Sequence, residues 1–376
     1  MTASGKVRLS PDGQRLTLDL DTGPREFAAL WLRERTPDAE TLDPRTGQRL
    51  IEAAELPLDL AVEHAELDGE TLALCFSDGQ AARFPLAELR AEDRPRETIA
   101  PGRTLWDAGL SEPPRADFAT ALADDTALLG MLEGLHRYGF VLVSGVPIDE
   151  DGMQALIDRI GPLRRTNWGG IADVKSVADA YDLTMTQRGL EPHTDNPYRD
   201  PIPGYIWLHC LTNAADGGDN TLVDGYRAAQ VLAERGPAAF DCLTRVTPGF
   251  RYRDETTWLE SEGPLIELDG QGRVIRVRYS NRTERVAALP TEELARYYAA
   301  RRAFYELITS DELTVHLKLD PGQMLIMDNY RLLHGRRAYE LAGGVRHLRQ
   351  GYVDRDSTAS RRLVLRQRLA ETGEVA

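Results

Sequence analysis

The chain has 376 residues, 42% hydrophobic and 28% charged, enough for one large domain plus a smaller one whose cores need no disulfides. Sixty acidic against 45 basic residues give a net charge of −15, a surface that repels nucleic acid and anionic lipid, and no apolar run approaches the roughly 20 residues of a membrane span. Three scattered cysteines (Cys75, Cys210, Cys242) and a polar beginning with no apolar signal core fit a reducing cytoplasm.

In chain order, VRLSPDGQRLTLDL alternates apolar and polar residues around a Pro-Asp-Gly turn, and ELDGETLALCFSDGQAARFPL repeats the pattern around Asp-Gly turns. Residues 1–95 therefore read as a small β-rich domain of short hairpins. Residues 96–118, rich in Pro, Gly and charge, read as a linker. From 119 to 376 the texture changes. ADFATALADDTALLGMLEGLHRYG places apolar residues at helical spacing and runs into the buried strand FVLV, and DEDGMQALIDRIG predicts a second helix with acidic residues at its start. Strand-like runs follow in GYIWLHCL, TLVDG, RVIRVRYS, MLIMDN and LRQGYV, interrupted by helical LPTEELARYYAARRAFYELI and closed by helical SRRLVLRQRLAE. There is no internal repeat or low-complexity tract.

Seven histidines serve the whole chain, so their positions carry information. In EPHTDNPYRD, His193 and Asp195 stand two apart. In a strand, residues i and i+2 share a face, so an imidazole and a carboxylate can aim at one point while Thr194 faces away. That is two thirds of the 2-His-1-carboxylate triad that holds non-haem Fe(II) and leaves positions open. His334, after the apolar strand and polar turn of MLIMDNYRLLHGRRAY, is the best third ligand; His64, His136, His209, His316 and His347 fit their surroundings less well as ligands. An isolated His-x-Asp pair is more often an ordinary hydrogen-bonded pair than a metal site.

HTDNPY, ADGGDNTLVDG, NYRLLHGRRAY and RHLRQGYVDRD, in that order, resemble the 2-oxoglutarate-dependent dioxygenases of the taurine dioxygenase superfamily, and in particular the branch containing γ-butyrobetaine dioxygenase and trimethyllysine dioxygenase. The resemblance runs from about residue 120 to the end. It implies a mainly β fold with flanking helices: a double-stranded β-helix (jelly-roll) catalytic domain preceded by the small β domain. It makes His193, Asp195 and His334 the iron ligands and pairs Arg346 with the distal carboxylate of 2-oxoglutarate, a carboxylate that the planar guanidinium fork matches. It gives Thr221 a hydroxyl contact to the same co-substrate. The implied reaction consumes O₂, decarboxylates 2-oxoglutarate to succinate and hydroxylates a carbon. Asp195, standing where related halogenases have a small residue, favours hydroxylation. FAALWLRERTPD is similar to an element of the family's N-terminal domain, but residues 34–50 lack the cysteines that bind structural zinc in many relatives, so we expect a zinc-free domain. The resemblance also leaves room for a homodimer.

In the γ-butyrobetaine branch a quaternary ammonium sits among aromatic faces, which attract a cation without hydrogen bonds. Trp168, Tyr181, Tyr198 and Tyr352 are the candidates here. Met185 and Asn196 fall where those relatives place tyrosines, and Asp182 falls where they use a carboxylate-binding asparagine. Asn281 matches a second such asparagine. The expected substrate is a small zwitterionic amine, a quaternary ammonium bearing a phosphonate or a carboxylate, with Asp182 favouring the ammonium and Asn196 donating to the anion. The alternatives are a γ-butyrobetaine or trimethyllysine hydroxylase proper, a sulfonate-type oxygenase, or a non-catalytic metal-binding ligand sensor.

Overall fold

Alternation along the strands sorts the chain into layers. The computed structural model describes residues 7–20, 23–91, 102–175, 188–340 and 345–373. The chain divides into two compact units, Met1–Arg96 and Glu97–Ala376.

In the first unit, strands Val7–Leu9, Arg15–Leu20 and Gly23–Ala28 form one antiparallel sheet, and Val62–Asp68, Thr71–Phe76 and Ala81–Pro85 form another. Every second residue of RLTLDL and TLALCF points inward. Leu16, Leu18, Leu72, Leu74 and Phe76 thus build a core with Leu32 and Phe84. Gly13 occupies the left-handed region of the Pro-Asp-Gly turn at φ +69°, and a Cβ there would lie 2.8 Å from the Val62 carbonyl oxygen. The segment that carries zinc cysteines in relatives is tied by Asp38, whose carboxylate accepts from the Glu40 and Thr41 amides at 2.9 and 2.7 Å and from Gln80 Nε2 at 2.9 Å.

In the second unit a six-stranded sheet runs in the order Arg115–Asp117, Phe140–Ser144, Met324–Asp328, Tyr205–Asn213, Arg346–Val353, Ala172–Lys175. A four-stranded antiparallel sheet runs Leu190–His193, Leu332–Arg336, Asn220–Asp224, Thr314–Leu317. One face of the larger sheet (Val141, Val143, Trp207, Met324, Ile326) packs under helices Asp125–Tyr138, Gln154–Ile160 and Arg355–Thr372. The other face (Leu142, Ile206, Leu208, Leu325, Leu348, Tyr352) shares a core with Leu222, Val315 and Leu332 of the smaller sheet. A third cluster joins helices Gly225–Arg235, Pro237–Arg245 and Thr291–Ile308 to Phe250, Tyr279 and Leu333.

Two expectations change. The single predicted helix after Ala116 is two, Phe118–Ala123 and Asp125–Tyr138, because Asp124 leaves the helical region and its carboxylate caps the second by accepting from the Ala127 amide. Residues 102–118 are not a linker. Trp106 is buried and donates through Nε1 to the Tyr138 carbonyl at 2.7 Å; Thr104 accepts from Arg331; and Arg115–Asp117 adds a parallel strand beside Phe140–Ser144. Arg331 itself is wholly buried against Asp224, with Nε–Oδ1 and Nη2–Oδ2 separations of 3.0 and 2.7 Å. Pro and Gly density reported the missing regular structure in this stretch but not its burial. No helix among the described residues is long and apolar enough to cross a membrane.

Candidate active site

His193 closes strand Leu190–His193 and lies directly opposite His334 on the antiparallel neighbour Leu332–Arg336, so the two rings stand 4.5 Å apart between centroids. The strand ends before Asp195. Thr194 anchors the exit: its amide donates to the Tyr279 carbonyl at 2.8 Å and its hydroxyl accepts from the Tyr279 amide at 3.0 Å. Asn329 clamps Asp195 through its backbone, accepting from the amide at 2.7 Å and donating to the carbonyl at 2.9 Å. Asp195 Oδ1 then sits 3.5 Å from His193 Nε2 and 3.6 Å from His334 Nε2, and one ligand atom from each residue lies within 4.8 Å of the others.

The protons are arranged for a cation. His193 Nδ1 contacts the Glu191 carbonyl at 2.8 Å, which assigns the proton to Nδ1 and leaves Nε2 a lone pair. That Nε2 is buried with no hydrogen-bond partner among the described residues, a costly state for a polar atom unless a metal accepts the lone pair. Burial, followed by the charge of His193, pushes the His334 pKa down to about 4; Arg282 adds to this and Asp195 opposes it, so the imidazole is neutral at pH 7. Burial raises the Asp195 carboxyl, but His334, His193 and the Tyr352 hydroxyl more than offset it and hold it well below the usual carboxylate range. Two imidazoles and one carboxylate fit a divalent non-haem iron.

The second carboxylate oxygen is occupied. Asp195 Oδ2 accepts from Gln350 Nε2 at 2.7 Å and from the Tyr352 hydroxyl at 2.8 Å, and that hydroxyl accepts in turn from Gln350 at 2.6 Å and from Asn196 Nδ2 at 3.0 Å. Tyr198 completes the chain by donating to Asn196 Oδ1 at 2.7 Å. Asn196 holds this bridge at φ +50°, a conformation that asparagine tolerates better than most residues. Its amide thus bonds both tyrosines, and Asn196 also lines the cavity.

The triad opens into a cavity of about 480 Å³. Arg346, Gln350 and Tyr352 line it from alternate positions of one strand, and Arg346 is buried. Asn220, rather than Thr221, lines it from Asn220–Asp224. Thr221 pairs with Gly335 in register, and a Cβ on that glycine would lie 2.6 Å from its hydroxyl oxygen. One residue along a strand reverses the face, so Asn220 and not Thr221 faces the cavity. Trp168, Tyr252 and Tyr198 form a contiguous aromatic wall, Trp168 edge-on to Tyr252 at 5.3 Å and Tyr252 stacked on Tyr198 at 5.2 Å. Asn281 is not in the cavity: it is exposed and its side-chain oxygen accepts from Arg301 at 3.0 Å. Its neighbours Ser280, Arg282, Thr283 and Arg285 line the wall instead. Tyr181, Asp182 and Met185 lie outside the described residues.

The sequence reading missed Asn220, Gln350, Asn329, Tyr252 and the arginines of the wall. Gln350 had a signal: it stands two residues before Tyr352 on the same strand, hence on the same face.

Residues 99–352 match the family model for taurine catabolism dioxygenase TauD, TfdA family. A γ-butyrobetaine dioxygenase from Pseudomonas sp. (strain AK-1) is 33% identical over 348 residues, 91% of this chain and 91% of its own. The Homo sapiens γ-butyrobetaine dioxygenase is 30% identical over 359 residues, covering 91% and 92%. The Rattus norvegicus mitochondrial trimethyllysine dioxygenase is 30% identical over 351 residues, covering 90% and 82%. Among solved structures, the non-haem iron oxygenase OrfP in complex with Fe and alpha-ketoglutaric acid gives a TM-score of 0.49 at 17% identity, over 65% of this chain and 94% of that one. The chain belongs to the TauD/TfdA family and is a dioxygenase that uses Fe(II), 2-oxoglutarate and O₂.

Proposed function

We propose that the enzyme hydroxylates a small zwitterionic amine, a quaternary ammonium compound bearing a phosphonate or a carboxylate. The observation that carries this reading is the make-up of a single cavity, lined by the His193, Asp195 and His334 side chains together with aromatic rings and arginines. Trp168, Tyr198 and Tyr252 supply aromatic rings for a cation. Arg251, Arg253, Arg282 and Arg285 supply positive charge for an anion.

In this reading the two facing sheets are the jelly roll of the family. His193 Nε2, Asp195 Oδ1 and His334 Nε2 hold Fe(II), which with 2-oxoglutarate supplies hydroxylation of an unactivated carbon by O₂. Arg346 takes the distal carboxylate of 2-oxoglutarate through its guanidinium fork, and Asn220 adds a side-chain contact. Gln350 and Tyr352 hold Asp195 Oδ2 so that Oδ1 stays directed at the metal. The two charges of the substrate fix it at both ends and present the carbon between them.

The test is succinate release with Fe(II), 2-oxoglutarate and O₂ across a panel of short zwitterions, in the native enzyme and in Trp168→Ala and Tyr198→Ala. The expected result is turnover of compounds bearing both charges, with KM for that substrate raised far more than KM for 2-oxoglutarate in the two variants. Equal turnover of analogues without the ammonium, or indifference to both substitutions, overturns it.

A further inference from the structure

We propose that Arg301, on helix Thr291–Ile308, is a positioning residue for the metal site: it clamps the segment 279–284, to which the chain between the ligands His193 and Asp195 is anchored. This role is the same whichever amine the enzyme hydroxylates.

The helix carries an apolar stripe with one charge at its edge. Tyr297, Ala300, Phe304 and Ile308 are its buried residues, spaced as one helical face requires, and Arg301 stands among them with 17% of its side chain exposed. Desolvating a guanidinium there is costly unless it is paired, so its partners show what it holds. Three lie in the segment 279–284. Nε stands 2.9 and 3.0 Å from the two carboxylate oxygens of Glu284, Nη2 donates to the Asn281 side-chain oxygen at 3.0 Å, and the guanidinium carbon lies 4.9 Å from the centre of the Tyr279 ring. The Glu284 side chain is 5% exposed and also accepts from the Tyr297 hydroxyl at 2.7 Å, one turn earlier on the same helix. Burial opposes the Arg301 charge and Glu284 more than offsets it, so the pKa is held above its ordinary value.

The clamp reaches the metal ligands through Tyr279. This residue is buried, 5.9 Å from Phe304 of the same helix between ring centroids, and its hydroxyl has no hydrogen-bond partner among the described residues, so its side chain is held by its ring. Its carbonyl accepts from the Thr194 amide at 2.8 Å and its amide donates to the Thr194 hydroxyl at 3.0 Å. Thr194 lies between His193 and Asp195, where the strand Leu190–His193 has already ended. The course of the chain to Asp195 is therefore set by Tyr279 on one side and Asn329 on the other, not by sheet pairing. The segment is also docked on strand Gly249–Arg253, through the Arg251 amide on the Thr283 carbonyl at 2.8 Å and the pairing of Phe250 with Glu284. That docking preserves the fold when Arg301 is changed. Metal ligands need placement to within about 0.5 Å, and this finer constraint is what the clamp supplies.

The test is Mn(II) titration of the purified full-length protein, with a melting curve for each variant. Arg301→Gln is expected to weaken Mn(II) by more than about threefold, while 2-oxoglutarate affinity at saturating Mn(II) stays within about twofold, because Asn220 and Arg346 stand on strands outside the clamp. Arg301→Lys, which keeps a cation beside Glu284 and Tyr279, is expected to bind Mn(II) at least about twofold more tightly than Arg301→Gln. Ile308→Val, which trims the same helix face without touching the clamp, is expected to lower the melting temperature and leave Mn(II) affinity within about twofold. Should Arg301→Gln fail to fold because Glu284 is left buried and unpaired, the Glu284→Gln, Arg301→Gln double variant is read in its place with the same limits. A folded variant whose Mn(II) affinity falls by less than about threefold overturns the proposal, as does a lysine variant no tighter than the glutamine one. An equal fall in Ile308→Val, or a parallel loss of 2-oxoglutarate affinity, also overturns it, since either would report general loosening of the fold.

Discussion

Removing the hydroxyl of Tyr352 isolates the hold on the metal's carboxylate. That hydroxyl gives Asp195 Oδ2 one of its two donors, at 2.8 Å, and accepts from Asn196 Nδ2 and Gln350 Nε2. Burial first, and then the Asp195 charge, raise the Tyr352 phenol well above its ordinary value, so the hydroxyl stays protonated and donates at all working pH values. Tyr352→Phe removes a charge-assisted bond of about 1.5–3 kcal/mol and leaves the Asn196 amide without its acceptor. Asp195 then loses the constraint that directs Oδ1 toward the histidines, and because part of this cost is shared with Gln350, metal affinity is expected to fall by about 10- to 100-fold, the usual effect of losing such a support. The assay is Mn(II) titration of the purified protein, with the melting curve as control for folding. Tyr198→Phe, which cuts only the far end of the chain of bonds, is expected to weaken Mn(II) by less than about threefold. Mn(II) affinity within about twofold of native in a folded Tyr352→Phe protein would refute the reasoning.

Asn220→Ala is expected to raise KM for 2-oxoglutarate about tenfold through one lost hydrogen bond, whereas Thr221→Ala, on the opposite face, leaves it within about twofold; steady-state kinetics decide between the two faces. Chelation with EDTA is expected to leave unfolding of the 1–96 unit unchanged, whereas Asp38→Ala, which removes four hydrogen bonds, destabilises it by about 1–3 kcal/mol in urea; stoichiometric zinc in metal analysis of protein purified without added metal would contradict this. His209 is wholly buried with neither ring nitrogen partnered among the described residues, and burial holds its pKa below the ordinary 6.5. The unfolded chain therefore binds the proton more readily. The contribution of His209 to stability is full above about pH 6.5 and is lost as pH falls below it, and urea midpoints of His209→Leu are expected to be flatter across that window.

The iron-binding pattern was legible because its chemistry is local: His193 and Asp195 two apart, and one histidine after an apolar strand and turn, where the register His193↔His334 brings it across. The sheet strands were legible for the same reason, since alternation in TLALCF and the continuous run FVLV report burial directly. What failed involved a single residue's facing. Thr221 and Asn220 are equally near the GGD motif, and only the pairing with Gly335 shows which one turns inward. Asn281 and Arg282 differ in the same way, their directions set by Arg301 and by the docking of the turn on Arg251. The bonds of Asn196 to Tyr198 and Tyr352 span 2 and 156 residues, and the distant one could not be read from its neighbourhood. Trp106 lay in a stretch whose composition resembled a linker, and its burial depends on contacts with Tyr138 and Asp224 made only on folding.

The most direct test of the central claim is the stoichiometry of succinate to hydroxylated product for a quaternary ammonium phosphonate, its carboxylate counterpart and γ-butyrobetaine, each with Fe(II), 2-oxoglutarate and O₂. The account predicts about one succinate per product, hydroxylation only of compounds bearing both charges, and loss of both products in His193→Ala. Succinate release without hydroxylation of any compound bearing both charges, or equal hydroxylation of analogues lacking the ammonium, would contradict it.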